Sequence, residues 1–231
     1  MDPVSRGTFE EESAQSTWAI LVAAGTGERL GSGRPKAFAA LAGRPLLAES
    51  LERLDSSDWV DAIVVAAPPE WEEPAILLAE ELVASKVTAV VTGGATRADS
   101  VRIALAEVSE EALVVLVHDA ARPLVDDAVI GRVLGRLDGT VEGVVPALEV
   151  HDTLKRVASE VVVETVEREG LVAVQTPQAF VADRLRAAYA ADLAGATDCA
   201  SLVERQGGRV AVVEGDPRLA KVTTAADLEH V

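Results

Sequence analysis

Short apolar runs that do not alternate constrain this chain more than any other feature. AIVVAA at residues 62–67 and LVVLV at 113–117 put aliphatic side chains on both faces of a strand, and such a strand needs cover on both faces. Strands are expected over Trp18–Val22, Ala62–Ala66, Val87–Val91, Leu113–His118 and Gly143–Val145. Between them lie the helix candidates Leu46–Leu54, Glu70–Ala84, Ala98–Glu107 and Asp126–Leu137. This alternation predicts an α/β fold, a Rossmann-like and mostly parallel sheet with helices on both faces. Such sheets bind ligands at the carboxyl ends of their strands.

The pattern breaks at DTLKRVASEVVVETVE, Asp152 to Glu167, where two β-rich runs flank Ala158–Ser159–Glu160 without helical start or stop signals. It reads as a hairpin. Exposed Val161, Val162 and Val163 on a lone hairpin would invite aggregation unless paired, so a protruding β-arm that reaches a second copy in a homodimer is favoured over an edge ornament. The tail returns to α/β character, with helices near Val181–Asp192 and Asp198–Gln206, a strand at Val210–Val213, and a last helix from Thr224. Thr224 and Asp227 have the spacing of a capping box. Residues 1–16 read as a flexible extension, and 17–231 as a single domain with the arm at about 150–170.

Charge and composition limit the function classes. The formal charge is −17 and the chain has seven aromatic residues (three Trp, one Tyr, three Phe). A nucleic-acid binder needs distributed positive charge and stacking platforms, so none is expected. The single Cys199 rules out an intrachain disulfide and Cys-based zinc frameworks. The opening MDPVSRGTFEEESAQST has neither an apolar h-region nor a leading basic cluster, and no apolar run is long enough to span a bilayer. A cytoplasmic protein without membrane contact is expected.

Against this acidity, Leu21–Pro45 (LVAAGTGERLGSGRPKAFAALAGRP) stands out. It joins a strand to a glycine-rich loop and supplies Arg29, Arg34 and Lys36 within eight residues. Gly25 and Gly27 would let backbone N–H groups approach phosphate oxygens, and the cations call for an anion such as a nucleoside triphosphate. The segment is not a P-loop, having no GK[ST]. Nor does it fit the dinucleotide fingerprint, since Leu30 stands where a third glycine belongs. In GGATRADS (93–100), Asp99 and Ser100 could cap the next helix; alternatively Gly93, Gly94 and Ser100 shape a base pocket. HDAARP (118–123) ends the fourth strand. Asp119 there could hold Mg²⁺ beside phosphates, and Arg122 could grip an anionic substrate. His118 reads as a satisfied core histidine, and His151 and His230 as surface residues. No Ser-His-Asp order or His/Glu metal motif is present. Lys155, Arg168, Thr176 and Lys221 are unremarkable singly.

Taken in order, AAGTGERLG…PKAFAALAGRPLL (23–47), GGATRADSVRIAL (93–105), VHDAARPLV (117–125), DTLKR (152–156), VEREGLVAVQTPQAF (166–180), TDCASLVERQGGRV (197–210) and AKVTTAADL (220–228) resemble the 2-C-methyl-D-erythritol 4-phosphate cytidylyltransferases of the non-mevalonate isoprenoid pathway. The resemblance implies transfer of a cytidylyl group from CTP to that small polyol phosphate, with Mg²⁺ or another divalent cation. By resemblance, Arg29 and Lys36 bind the triphosphate and Ala23, Ala24, Gly94 and Ser100 line the cytosine pocket. Asp119, Arg122, Thr176 and Lys221 hold methylerythritol phosphate, and Thr153 and Arg168 complete that site from the neighbour's arm. Arg29, Lys36, Arg168 and Lys221 are the expected catalytic cations. Three positions depart from the family pattern: Ala95 and Cys199 stand where acids are frequent, and Leu219-Ala220 precedes Lys221 in place of Asn-Ile. A ribitol 5-phosphate cytidylyltransferase and a non-catalytic nucleotide-binding protein are the competing readings.

Overall fold

The computed structural model describes residues 16–27 and 33–229. Arg29, His230 and all but Ser16 of the expected extension lie outside them. In chain order, β1 (Thr17–Val22) leads to a small ribbon, β2 (Ala40–Leu41) and β3 (Arg44–Pro45), and then α1 (Leu46–Asp55), β4 (Ala62–Ala67), α2 (Glu72–Glu81), β5 (Val87–Thr92), α3 (Arg97–Leu105), β6 (Val114–Asp119), α4 (Asp127–Gly135) and β7 (Gly143–Glu149). The hairpin β8 (Leu154–Ala158) and β9 (Val161–Val166) follows, then β10 (Val172–Val174), β11 (Gln178–Val181), α5 (Ala182–Tyr189), α6 (Cys199–Arg205), β12 (Val210–Glu214) and α7 (Ala225–Leu228).

The main sheet runs β5-β4-β1-β6-β11-β7, with β10 and β12 also paired to β7. β1, β4, β5 and β6 are mutually parallel, and β12 is parallel to β7. β4 and β6 are buried along their whole length, as their unbroken apolar runs predict. Successive side chains point into two layers. Ala19, Leu21, Ile63, Val65, Val114 and Leu116 pack with α1, α2 and α4. Ile20, Val64, Ala66, Val115 and Val117 pack with α3, α5 and α6. Each fully buried aliphatic side chain contributes about 1.5–3 kcal/mol, so both faces hold the strands in register.

Besides the β2–β3 ribbon, two strands of the main sheet were not expected. β11 is antiparallel to both β6 and β7, and β10 is antiparallel to β7. QAFV is four residues long and begins with Gln178, whose side-chain amide donates to Asp198 Oδ2 at 3.0 Å. A polar side chain satisfied by a residue twenty positions away leaves no local strand signal. The end of α2 also differs from the expected Ala84. Val83, at φ 54°, takes the position where glycine usually stops a helix. Val83 N donates to Glu80 O and Ala84 N to Ala79 O, a Schellman turn.

The hairpin forms as expected and is a separate two-stranded sheet. Ser159 and Glu160 both take positive φ, the pattern of a tight hairpin turn matched to strand twist. Lys155 Nζ donates to Thr165 Oγ1 at 2.5 Å and Arg156 Nε to Glu164 Oε2 at 2.7 Å. Val157, Val161, Val162 and Val163 are exposed. At the other end of the chain, the Thr224–Asp227 capping box opens α7.

Candidate functional site

Because β1, β4, β5 and β6 are parallel, their carboxyl ends share one edge, and a cavity of about 500 Å³ opens there. Ala23, Ala24, Gly25 and Lys36 line it from the segment after β1. Gly93, Gly94, Arg97 and Ser100 line it from the segment after β5, together with Asp119 and Lys221. Most of the expected site therefore converges, although its members come from four separate stretches of chain.

The glycines act locally and differently. Among the described residues other than its chain neighbours, none has an atom within 4 Å of where a Cβ on Gly25 would sit. Gly27 is not among the described lining residues. It has φ +75°, and a Cβ there would stand 2.7 Å from Lys36 N. Lys36 N in turn donates to Gly25 O at 3.1 Å. Gly27 thus seats Lys36 against the turn. A Cβ on Gly93 would run into Ala24 Cβ, so glycine there lets the two loops touch.

Ser100 Oγ accepts from Gly94 N at 3.1 Å and lies 2.9 Å from Thr96 O, which fixes the glycine turn as a pocket wall. The cap of α3 is Thr96, not Asp99 or Ser100: Asp99 N donates to Thr96 Oγ1 at 3.0 Å. Asp99 Oδ2 accepts from the same hydroxyl at 2.8 Å, so Asp99 supports the cap without being it.

At the cavity floor, Arg97 Nε donates to Asp119 Oδ1 at 2.9 Å and Lys221 Nζ to Asp119 Oδ2 at 2.6 Å. The Asp119 side chain is 8% exposed. Burial pushes its pKa up, but the Arg97 and Lys221 charges outweigh burial and hold the carboxyl well below the usual carboxylate range. Arg97 was not singled out as a site residue. A signal was available: it is the first residue of α3, where the helix dipole disfavours a cation, so it needs an anion close by. Its Nη1 lies 3.4 Å from Cys199 Sγ, which is also 3.1 Å from Tyr189 Oη. Burial pushes the Cys199 thiol up, leaving the sulfur neutral.

Lys221 is aimed by its neighbours. Val222 N donates to Ala121 O at 2.9 Å, and the Val222 side chain packs in a small buried cluster with Ala39 and Leu46. Arg122 Nη1 donates to Leu219 O at 2.5 Å, so Arg122 braces the segment that carries Lys221. It is not among the described lining residues. Leu219, one of the departures from the family pattern, is fully buried and uses its backbone carbonyl for this contact. Thr176 is buried behind Asp119 and accepts from Asp119 N at 3.1 Å. Thr153 and Arg168 are exposed where the chain enters and leaves the arm, away from the described lining of this cavity. His151 is exposed, as expected.

A glycine-shaped, cation-bearing cavity at the carboxyl edge of a parallel sheet is the kind of site a nucleotidyltransferase needs for its nucleotide. Comparisons narrow the class. The family model for IspD, 2-C-methyl-D-erythritol 4-phosphate cytidylyltransferase, matches residues 17–231. A Nocardia farcinica 2-C-methyl-D-erythritol 4-phosphate cytidylyltransferase is 50% identical over 214 residues, covering 92% of this chain and 91% of that protein. The Saccharopolyspora erythraea protein of the same name is 48% identical over 217 residues, covering 92% and 96%. The crystal structure of the enzyme of that name from Thermus thermophilus superposes with a TM-score of 0.74 at 34% identity, covering 91% of this chain and 95% of that one. The chain belongs to the 2-C-methyl-D-erythritol 4-phosphate cytidylyltransferase family.

The Asp119 ion pairs make a stability prediction with a definite sign. Asp119→Asn leaves the part-buried Arg97 opposite a neutral amide and lowers stability at pH 7 by about 2 kcal/mol in urea unfolding. The folded carboxyl titrates below the unfolded value of about 3.9. The wild-type advantage is therefore complete above that pH and shrinks as pH falls through it towards the folded value. A gap that stayed constant from neutral pH down to pH 3 would contradict this account.

Proposed function

We propose that this enzyme joins CTP to 2-C-methyl-D-erythritol 4-phosphate, giving 4-CDP-2-C-methyl-D-erythritol and pyrophosphate in isoprenoid precursor biosynthesis. The observation that carries the reading is the gathering of Lys36, Arg97 and Lys221 around one cavity in a molecule of charge −17. Two polyanions must meet there, and family membership supports their identity.

The attacking group is a phosphate oxygen, already ionised at neutral pH, so no general base is needed. It forms a new P–O bond at the α-phosphorus of CTP as the bond from that phosphorus to the bridging oxygen breaks. The electron pair leaves with pyrophosphate. What remains for the protein is alignment and charge neutralisation. Ala23, Ala24, Gly93, Gly94 and Ser100 enclose the base, and Gly25 lets the triphosphate approach the backbone. Lys36, with Arg29, neutralises the phosphates. Lys221 faces the phosphate of the second substrate, and Asp119 its hydroxyls.

Mg²⁺ is the expected cofactor. Among the described residues no group of three or more His, Cys, Asp or Glu side chains is placed to hold a metal. Asp119 is the one carboxylate among the described lining residues. A carboxylate offers about four lone-pair sites, so Asp119 can accept from two cations and still ligate an ion. This donor set suits an ion that arrives on a triphosphate and draws its other oxygens from phosphate and water. The ion would supply further neutralisation of the triphosphate charge.

The exposed valines of β8–β9 support a homodimer through the arm. It would bring Thr153 and Arg168 of one copy to the cavity of the other. No helix of the described residues is long and apolar enough to cross a membrane.

Pyrophosphate release tests the reaction. CTP with methylerythritol phosphate and Mg²⁺ gives release, ribitol 5-phosphate gives less, and Lys36→Ala lowers kcat by roughly two orders of magnitude. Faster turnover of ribitol 5-phosphate would overturn the substrate, and near-full turnover by Lys36→Ala would overturn the site. In size-exclusion chromatography with light scattering the chain runs as a dimer; a strict monomer would contradict the role of the arm.

A further inference from the structure

Lys36 lies on a single 3₁₀ turn, Lys36–Phe38, at the cavity wall. Its backbone bonds are few and local. Lys36 N donates to Gly25 O at 3.1 Å, Phe38 N to Pro35 O at 2.9 Å and Ala39 N to Lys36 O at 3.1 Å. A helix this short is marginal by itself, so tertiary packing must hold it. Phe38 supplies that packing. Its side chain is buried, and its ring packs on Trp71 with centroids 4.6 Å apart and planes at 45°, within the range that aromatic pairs favour.

Trp71 is fixed from its own side. Trp71 N donates to Pro68 O at 3.0 Å, which closes a four-residue turn. Pro69 takes its second position, and Glu70 its third at φ 68°, the type II pattern. The proline ring restricts its own φ, so the turn that presents the indole is stiff. One residue on, Glu72 starts α2 and accepts from Thr92 Oγ1, beside the Gly93 that lines the cavity. Trp71 thus stands where the segments after β1, β4 and β5 meet. Neither Phe38 nor Trp71 is among the described lining residues, yet each lies two positions after one that is: Lys36 before Phe38, and Pro69 before Trp71. The pair lies behind the wall, packed with the core layer that includes α1, α2 and α4.

We propose that Trp71 is a positioning residue for cytidylyl transfer: its indole clamps Phe38 and so holds the Lys36 turn at the triphosphate. The indole touches neither substrate. A chain with seven aromatic residues places two of them here, where a leucine would bury area without offering a flat face to the Phe38 ring. The inference rests on the reading of Lys36 as a triphosphate cation only for the turnover arm of its test.

Hydrogen exchange of the ligand-free protein reads the clamp without any substrate. In Trp71→Leu the amides of Lys36, Phe38 and Ala39 exchange about tenfold faster, those of β6 change less than about twofold, and Trp71→Phe restores most of the protection. Unchanged exchange at these three amides, or equal acceleration in β6, would overturn the clamp. So would a Trp71→Leu chain that does not fold, because the indole would then hold the core rather than the Lys36 turn. Turnover reads what the clamp does. Trp71→Leu lowers kcat/KM for CTP about tenfold, while KM for methylerythritol phosphate changes less than about threefold. In a Lys36→Ala background the same substitution has no further effect, since no ammonium is left to aim. Additive losses, or Trp71→Leu at wild-type efficiency, would overturn the positioning role. A wild-type protein that transfers no cytidylyl group would instead refute the reaction, and the exchange at Lys36, Phe38 and Ala39 would still decide the clamp.

Discussion

The buried carboxylate of Asp119, held between Arg97 and Lys221, is the interaction on which the site depends. It ties together three segments that the sequence keeps apart: the start of α3, the end of β6, and the stretch after β12 that carries Lys221. Taking the Asp119 carboxylate out of water costs several kcal/mol before pairing, and each of its oxygens has a cation at hydrogen-bond distance in compensation. The same pairing sets the chemistry. A lone buried carboxylate would repel a polyanion, whereas this one carries two cations with it.

The sheet supplies the rest of the geometry. Four mutually parallel strands end at one edge, and apolar side chains on both faces prevent the strands from slipping. Glycines then define how closely the loops approach one another. Gly27 packs on the Lys36 backbone, and Gly93 packs on Ala24. The cavity is thus built by core packing and loop contact, while the charged groups are aimed by a few hydrogen bonds to backbone, such as Arg122 to Leu219 O.

What could be read from the chain followed local physics. Unbroken apolar runs marked β4 and β6, two β-rich runs around Ala158–Ser159–Glu160 marked the arm, and Thr224 with Asp227 marked a helix start. The Leu21–Pro45 loop marked one wall of the cavity. What escaped depended on distant partners. β11 begins with a polar Gln178 that Asp198 satisfies, and Arg97 acquires meaning only beside Asp119, 22 positions on. Arg122 was legible as a cation at this edge, but nothing in HDAARP shows that its guanidinium meets Leu219 O, 97 positions away. Thr96, rather than Asp99 or Ser100, became the cap because it alone takes the extended backbone that precedes α3.

The central claim is that Arg97 and Asp119 act as one unit. A double-mutant cycle with Arg97→Ala and Asp119→Ala, read by urea unfolding at pH 7, tests it most directly. The account predicts a coupling energy of about 2 kcal/mol or more, since Arg97→Ala leaves the buried Asp119 with Lys221 alone and Asp119→Ala leaves the part-buried Arg97 without its carboxylate. Destabilisations that add within about 0.5 kcal/mol would contradict it.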